Sequence, residues 1–149
     1  MSVAAEFDRP VEILLAEDSP TDAQLTKEAL ATCETEHRVH VVTDGAGAIA
    51  FLLREPPYSD APRPDLVLLD LKMPRKDGCE VLEKLKTHDD LKAIPVIVLT
   101  TSIAETDVRG AYAHHANSYV VKPLDFGQFV QVMKVVEQFW FKIATLPSH

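Results

Sequence analysis

Short apolar stretches alternate with longer amphipathic segments along the chain. Five of these stretches are dominated by valine, isoleucine and leucine, a composition typical of buried β-strands. The intervening segments are long enough for crossover helices, so the pattern predicts an α/β fold in which helices cover both faces of a parallel sheet. The predicted strands cover residues 11–16, 39–43, 66–69, 94–99 and 119–121.

Capping residues mark where the helices begin. Ser19 precedes Pro20, and a capping residue followed by proline is typical of a first helical turn, in which Asp22 also lies. Asp44 and Asp125 are in position to cap two further helices. The first helix is predicted to begin at Pro20, and the other four to span residues 46–53, 78–86, 105–113 and from 126 to about 143.

The hydrophobicity of the strands predicts their order. The first, third and fourth stretches are the most continuously apolar, as central strands are, whereas the second and fifth have the character of edge strands. A doubly wound sheet of order 2-1-3-4-5 with five helices meets this condition. Sites in such sheets form outside the carboxyl ends of the strands, near the switch point of the topology.

Composition excludes several classes of function. The chain has 149 residues and a net charge of −8, so it should fold as one domain and repel nucleic acids and anionic lipid surfaces. It has no apolar run long enough to span a bilayer, and residues 1–10 do not form a signal peptide. Cys33 and Cys79 lack metal-ligand spacing and are interpreted as reduced thiols of a cytoplasmic protein.

Polar residues follow four of the five predicted strands. Because parallel strands end at one edge of the sheet, these residues are expected to meet, and crowded carboxylates at about 5 Å repel by roughly 3 kcal/mol unless a cation joins them. Oxygen ligands of this kind suit Mg²⁺, which retains positions for phosphoryl oxygens. An aspartate nucleophile, a lysine and a threonine hydroxyl would complete a phosphoryl site. The residues concerned are Glu17-Asp18, Asp70, Thr100-Thr101-Ser102 and Lys122-Pro123.

These motifs resemble the receiver domains of two-component response regulators. The resemblance spans about residues 11–140 and rests on order and spacing. It implies that Asp70 accepts a phosphoryl group from a phosphohistidine of a sensor kinase, without the chain being an enzyme beyond its own phosphorylation and dephosphorylation. The matching motifs are Glu17-Asp18, Leu68-Leu69-Asp70-Leu71-Lys72-Met73-Pro74, Asp77-Gly78, Leu99-Thr100 and Tyr119-Val120-Val121-Lys122-Pro123.

The resemblance also implies roles for the neighbouring residues. Mg²⁺ would be held directly by Asp18 and Asp70, through water by Glu17, and by the backbone carbonyl of Lys72. The phosphoryl group would contact the residues around the ends of the fourth and fifth strands, and a threonine–tyrosine pair would switch conformation. These phosphate-binding residues are Thr100, Thr101 and Lys122, and the switch pair is Thr100 and Tyr119.

Two positions depart from the common family pattern. Thr101 is β-branched where the family commonly has alanine or glycine, and Lys72 brings a cation close to the phosphorylation site. We expect both residues to restrict the attack of water and so to slow self-dephosphorylation.

The ends of the chain suggest how the signal is passed on. Residues 1–10 are interpreted as an extension, 11–144 as the receiver domain and 145–149 as a tail with no output domain, so the output would be binding to another protein. The fifth helix has a wider apolar arc than one sheet face requires. This predicts a homodimer through the fourth helix, fifth strand and fifth helix, with Val132, Val135 and Phe139 at the interface.

A subfamily resemblance concerns the upstream partner. The proline-rich segment 55–64, the Leu-Thr-Thr-Ser strand end and the aromatic C-terminus are similar to regulators paired with bacterial phytochromes. The partner would then be a light-sensing histidine kinase, a bacteriophytochrome.

Three other functions fit parts of the pattern. Aspartyl-phosphate hydrolases of the haloacid dehalogenase type need an acid two residues after the nucleophile, where this chain has Lys72. A flavodoxin-like flavin binder needs a phosphate loop where Glu17-Asp18 would repel phosphate. A third alternative is a degenerate receiver that acts only as a constitutive binding module, although no key residue of the site is missing. Tyr119 as a plain packing residue is a separate alternative, because switching is not visible in a sequence.

Overall fold

The predicted strands form one parallel sheet in the order β2-β1-β3-β4-β5. The structure is a computed structural model that describes residues 9–75, 77–123 and 125–141. The predicted strand order and the five helices are confirmed. In chain order the elements are β1 Val11–Ala16, α1 Pro20–Ala31, β2 His37–Val42, α2 Gly45–Leu53, β3 Leu66–Leu69, α3 Gly78–Thr87, β4 Val96–Thr100, α4 Glu105–Ala113, β5 Ser118–Val121 and α5 Phe126–Val136.

Alternating side chains of the strands build two hydrophobic cores, one on each face of the sheet. Leu14 and Ala16 of β1 pack on the face covered by α2 and α3, whereas Ile13 and Leu15 pack on the face covered by α1 and α5. β1, β3 and β4 are buried along their whole length, as central strands of a doubly wound sheet should be.

Side-chain caps fix the helix starts that position the site. The Ser19 hydroxyl accepts a hydrogen bond from the Asp22 amide at 3.2 Å, and the Asp44 carboxylate accepts one from the Gly47 amide at 2.6 Å. The Asp125 carboxylate accepts one from the Gly127 amide at 3.1 Å. The three predicted caps are therefore present, and each satisfies an otherwise unpaired backbone donor.

The predicted fifth helix, from 126 to about 143, changes from an α-helix to a π-helix at residue 137. The α-helix ends at Val136 and continues as a π-helix over Glu137–Phe141, while residues 142–149 lie outside the described part of the chain. Buried Glu137 accepts a hydrogen bond from the Thr35 amide at 2.7 Å at this point. A wider turn changes the angular step per residue, so the regular helical projection of the apolar arc does not hold past Val136.

The predicted domain boundaries stay predictions. β1 begins at Val11 and β5 ends at Val121, whereas residues 1–8 and the tail 145–149 are outside the described residues. Within the described part, no helix is long and apolar enough to cross a membrane.

Candidate functional site

Three acidic side chains meet at the carboxyl ends of β1 and β3. The two strands are neighbours in register, with Ala16 opposite Leu69, so the residues that follow them are brought side by side. One carboxylate oxygen from each of Glu17, Asp18 and Asp70 lies within 4.8 Å of the other two. The structure thus brings together the acidic residues that the sequence placed at one edge of the sheet.

The ammonium group of Lys122 lies inside this acidic cluster. Its Nζ donates to Asp70 Oδ2 at 3.2 Å and to Asp22 Oδ2 at 3.1 Å, and it forms a short contact with a Glu17 carboxylate oxygen. The Lys122 side chain is only 5% exposed. The backbone fixes its position, because the Lys122 amide donates to the Thr100 carbonyl at 2.7 Å.

Asp22 also belongs to this cluster, although its place in the sequence predicts only an acidic residue in the first turn of α1. The available signal is its place in the first turn of α1, because this helix begins directly after the end of β1 and its first turn therefore lies beside the site.

Burial and mutual attraction set the charge of the cluster. Burial raises the pKa of Glu17 to about 7, although the adjacent Lys122 ammonium acts in the opposite direction. Burial alone would lower the pKa of Lys122, but the carboxylates of Glu17 and Asp70 raise it above its ordinary value. Lys122 is therefore a permanent cation that partly neutralises the site.

The donor set fits a hard divalent cation. Carboxylate oxygens are the ligands that Mg²⁺ prefers, and it usually keeps several waters beside one or two carboxylates. Glu17 and Asp70 are buried while Asp18 is exposed, so the cluster opens to solvent on one side. The Lys72 amide donates to Asp70 Oδ1 at 3.1 Å, which orients the central carboxylate.

The loop after β3 is held against two helices. A Cβ atom on Gly78 would lie 2.5 Å from the Asp70 carbonyl oxygen, so only glycine allows α3 to begin this close to the site. On the other side, the Arg75 carbonyl accepts from the Ala46 amide at 2.9 Å. The Arg75 guanidinium also binds the Asp44 carboxylate through Nε at 3.0 Å.

The residues after β4 differ in exposure. Thr100 is fully buried at the strand end, whereas Thr101 is exposed. The Ser102 amide donates to Thr100 Oγ1 at 3.4 Å. The hydroxyl of half-buried Tyr119 donates to the Ser102 carbonyl at 2.9 Å, so the two predicted switch residues are linked through Ser102.

The side chain of Lys72 does not lie with Lys122. Its Nζ is 3.4 Å from Asp107 Oδ2 in the first turn of α4, and the side chain is 68% exposed. Ser102 Oγ donates to the same Asp107 oxygen at 2.5 Å. These hydrogen bonds hold the pKa of Asp107 below its ordinary value, the Ser102 hydroxyl more than the Lys72 ammonium.

The residues predicted for a dimer lie around an apolar groove next to β5. Val135 is 67% exposed and Phe139 is 47% exposed. Val132 is only half-buried rather than exposed, and it packs against the core of the α1–α5 face. The groove has a volume of about 570 Å³, and Val120 and Trp140 also line it.

Comparison with known proteins identifies close relatives. The chain is 43% identical over 143 residues to response regulator Rcp1 of Synechocystis sp., covering 96% of this chain and 97% of Rcp1. The Mn²⁺-bound structure of Rcp1 has a TM-score of 0.87 at 44% identity, covering 93% of this chain and 100% of that one. The structure of the phosphorylated cyanobacterial phytochrome response regulator RcpA has a TM-score of 0.89 at 46% identity, covering 94% and 100%.

The family assignment rests on nearly the whole fold. The model of the response regulator receiver domain matches residues 13–134. Proteins of this family receive phosphoryl groups from histidine kinases and bind a divalent metal ion in an acidic pocket, which confirms the predicted partner class and cofactor. The resemblance to phytochrome-associated regulators is also confirmed, and the hydrolase and flavin-binding alternatives are set aside. With 122 consecutive residues matched to a family that signals by phosphorylation and whose receiver-only members are not classical enzymes, the chain belongs to the response regulator receiver domains.

Proposed function

We propose that Asp70 is the phosphoryl acceptor of this receiver domain. The observation that carries the proposal is the position of its carboxylate, which borders the acidic cluster on one side and lies 3.2 Å from Lys122 Nζ on the other. An Asp70 oxygen would form a bond to phosphorus while the bond from phosphorus to the donor histidine nitrogen breaks. The imidazole leaves with the electron pair, and the product is an acyl phosphate.

The surrounding residues are proposed to hold the cation and the transferred group. Asp18 and Asp70 would bind Mg²⁺ directly, Glu17 through water, and Lys72 through its backbone carbonyl. When bound, Mg²⁺ would neutralise charge on the carboxylates and on the phosphoryl oxygens. The phosphoryl oxygens would be contacted by Thr100, Thr101 and Lys122.

Intact mass measurement tests the acceptor directly. Treatment with a small acyl-phosphate donor and Mg²⁺ should add one phosphoryl group to the parent protein and none to Asp70→Asn. Asp60→Asn is the matched control, because it makes the same acid-to-amide change at an exposed loop position and should retain the gain. Equal phosphorylation of parent and Asp70→Asn would contradict the assignment.

The proposed switch joins Thr100 to Tyr119. A phosphoryl group adds about −1.5 to −2 charges and three acceptor oxygens, toward which the hydroxyl of Thr100 would move. Ser102, which donates to Thr100 and accepts from Tyr119, would move with it. Tyr119 would then lose its bond to the Ser102 carbonyl and turn inward, which would alter the surface of α4 and β5.

The upstream partner is proposed to be a phytochrome-type histidine kinase. Similar structures support this, since RcpA is a phytochrome response regulator, and the structure of a bacteriophytochrome response regulator has a TM-score of 0.75 at 39% identity. Phosphotransfer from a bacterial phytochrome kinase should depend on red or far-red light and vanish in Asp70→Asn. Light-independent transfer, or equally fast transfer from an unrelated histidine kinase, would contradict the proposal.

We also propose that the protein is cytoplasmic and has no nucleic-acid partner. The net charge of −8 supports the absence of nucleic-acid binding, because an acidic surface repels phosphate backbones. Electrophoretic mobility of duplex DNA should be unchanged by the protein at low salt, where non-specific binding is strongest.

We propose a homodimer through α4, β5 and α5. Among the described residues, six of the seven large apolar side chains that are exposed lie from the end of β4 onward, and exposed apolar surface concentrated in one part of a fold favours an interface there. The groove beside β5 has Val132, Val135 and Phe139 along its wall. The six exposed residues are Ile103, Tyr112, Val121, Phe126, Val135 and Phe139.

Sedimentation and tryptophan emission test the dimer together. Trp140 is the chain's one tryptophan and lines the groove, so its emission should shift to the red as the protein is diluted and the dimer dissociates. Val135→Glu and Phe139→Glu should give a monomer at tens of micromolar. Val41→Glu is the control, since Val41 is exposed on β2, the opposite edge of the sheet. A parent protein that sediments as a monomer would rule out this interface.

A further inference from the structure

The Asp107 carboxylate connects the two loops that border the proposed phosphorylation site. One of its oxygens, Oδ2, contacts Lys72 Nζ at 3.4 Å and accepts a hydrogen bond from Ser102 Oγ at 2.5 Å. Lys72 follows Asp70 by two residues and donates its amide to Asp70 Oδ1. Ser102 follows Thr100 by two residues and donates its amide to Thr100 Oγ1. Asp107 therefore joins the first turn of α4 to two loops: the acceptor loop between β3 and α3, which contains Lys72, and the threonine loop between β4 and α4, which contains Ser102.

Lys72 can exchange this partner for another anion nearby. Its side chain is 68% exposed, and lysine is a point charge on a flexible stem with three rotatable donors. The carboxylate of Asp107 carries one negative charge, whereas a phosphoryl group on Asp70 would carry about −1.5 to −2. The two anions would compete for one ammonium group.

We propose that Asp107 is a positioning residue for phosphoryl chemistry: it holds the Lys72 ammonium on α4 until a phosphoryl group on Asp70 attracts it away. The proposal rests on the proposed acceptor role of Asp70. Because the Lys72–Asp107 pair belongs to the unphosphorylated protein, it opposes phosphorylation, and its loss releases the first turn of α4 from the acceptor loop. Ser102 extends this release toward Tyr119, whose hydroxyl donates to the Ser102 carbonyl.

The pairing also affects hydrolysis of the acyl phosphate. Hydrolysis needs a water molecule opposite the Asp70 oxygen, and an ammonium group seated on the phosphoryl oxygens covers part of that approach. Removing the charge of Asp107 would leave Lys72 more time on the phosphoryl group. The effect of Asp107 must therefore pass through Lys72.

The decay of phosphorylated protein in single and double variants tests this route. Asp107→Asn should slow the decay by about two- to five-fold, the range expected for an exposed ion pair. Lys72→Ala should decay faster than the parent, and Lys72→Ala/Asp107→Asn at the same rate as Lys72→Ala. Asp107→Glu, which keeps the charge, should return to the parent rate. The matched control is Glu105→Gln, an exposed acid of the same helical turn that pairs with Arg109 and should leave the rate unchanged.

The outcomes separate this proposal from the acceptor assignment. Absence of any phosphoryl gain in the parent would contradict the role of Asp70. A normal gain with Asp107→Asn decaying at the parent rate or faster would overturn the positioning role alone, as would an Asp107→Asn effect of the same size in the Lys72→Ala background. Lys72 is exposed, so Lys72→Ala should fold even if Asp107→Asn does not. A phosphorylated Lys72→Ala protein that decays no faster than the parent would also overturn the positioning role.

Discussion

Lys122 Nζ lies 3.2 Å from Asp70 Oδ2, although the two residues are 52 positions apart in the chain. The ammonium group is buried and also contacts Glu17 and Asp22, so one positive charge serves three carboxylates. Removing one partner from a buried ion pair leaves uncompensated charge, which costs about 3–5 kcal/mol. The free energy of the folded state therefore depends on the same lysine that the proposed phosphoryl contact requires.

Replacing Lys122 should make the acidic cluster depend on a bound metal ion, instead of the lysine ammonium, for neutralisation of its charge. Lys122→Met is expected to lower thermal stability without divalent metal and to bind Mg²⁺ about ten-fold more tightly or better, because a unit charge at about 6 Å opposes a divalent cation by roughly 5 kcal/mol at an effective dielectric constant of about 20. Calorimetric titration with Mg²⁺, beside thermal melts in chelator, measures both effects. Asp18→Asn should weaken Mg²⁺ binding instead. An unchanged Mg²⁺ affinity in Lys122→Met would show that the lysine and the cation do not share the cluster.

Gly78→Ala should destabilise the protein by about 1–3 kcal/mol, because the added Cβ would overlap the Asp70 carbonyl oxygen and force a backbone shift. The same substitution at Gly110 of α4 meets nothing within 4 Å and should stabilise by about 0.5–1 kcal/mol. Urea denaturation of both variants measures the difference. Two variants of similar stability would mean that α3 does not need its close approach to Asp70.

Asp44→Asn should reduce stability in a pH-dependent manner. The Arg75 guanidinium, and next the Gly47 amide, lower the pKa of Asp44 below 3.8 in the folded protein. A lowered pKa contributes stability above the unfolded-state pKa, and this contribution is lost as the pH falls through the folded-state value. The unfolding midpoints of parent and variant should thus differ at about pH 7 and converge below about pH 4. Asparagine keeps the helix cap, so the comparison isolates the charge.

Asp125→Asn is the matched control for the loss of charge at a helix cap. Asp125 caps α5 in the same manner as Asp44 caps α2, and no ion pair joins it to any described residue. At about pH 7 the control should be less destabilised than Asp44→Asn. If the two variants lose the same stability, the Asp44–Arg75 contact does not contribute to stability.

Thr101→Ala should shorten the lifetime of the phosphorylated protein. Thr101 is exposed beside buried Thr100, and its branched side chain is expected to restrict the approach of water to the phosphoryl group. The decay of the added phosphoryl mass, followed after removal of the donor, measures the rate. The exposed neighbour Ile103 provides the control substitution Ile103→Ala, with no change expected. An unaltered decay rate in Thr101→Ala would remove this role.

Local patterns were sufficient for the framework of the fold. Continuous apolar runs predicted β1, β3 and β4 as central strands, and side-chain caps at Ser19, Asp44 and Asp125 located three helix starts. Both signals act over a few residues, through burial and through backbone hydrogen bonds, and can therefore be recognised in a sequence. The π-helix after Val136 could not, because it accompanies a hydrogen bond between Glu137 and the distant Thr35 amide.

The sequence by itself determined which chemical groups stand at the carboxyl edge of the sheet, since strand order follows from hydrophobicity and the residues after each strand must meet there. Only the tertiary structure decided how those groups pair. Asp22 joins Lys122 because α1 turns back over the site, and Lys72 joins Asp107 because α4 begins beside the acceptor loop. Such pairings depend on distances between elements far apart in the chain, and these are fixed by packing rather than by any local pattern.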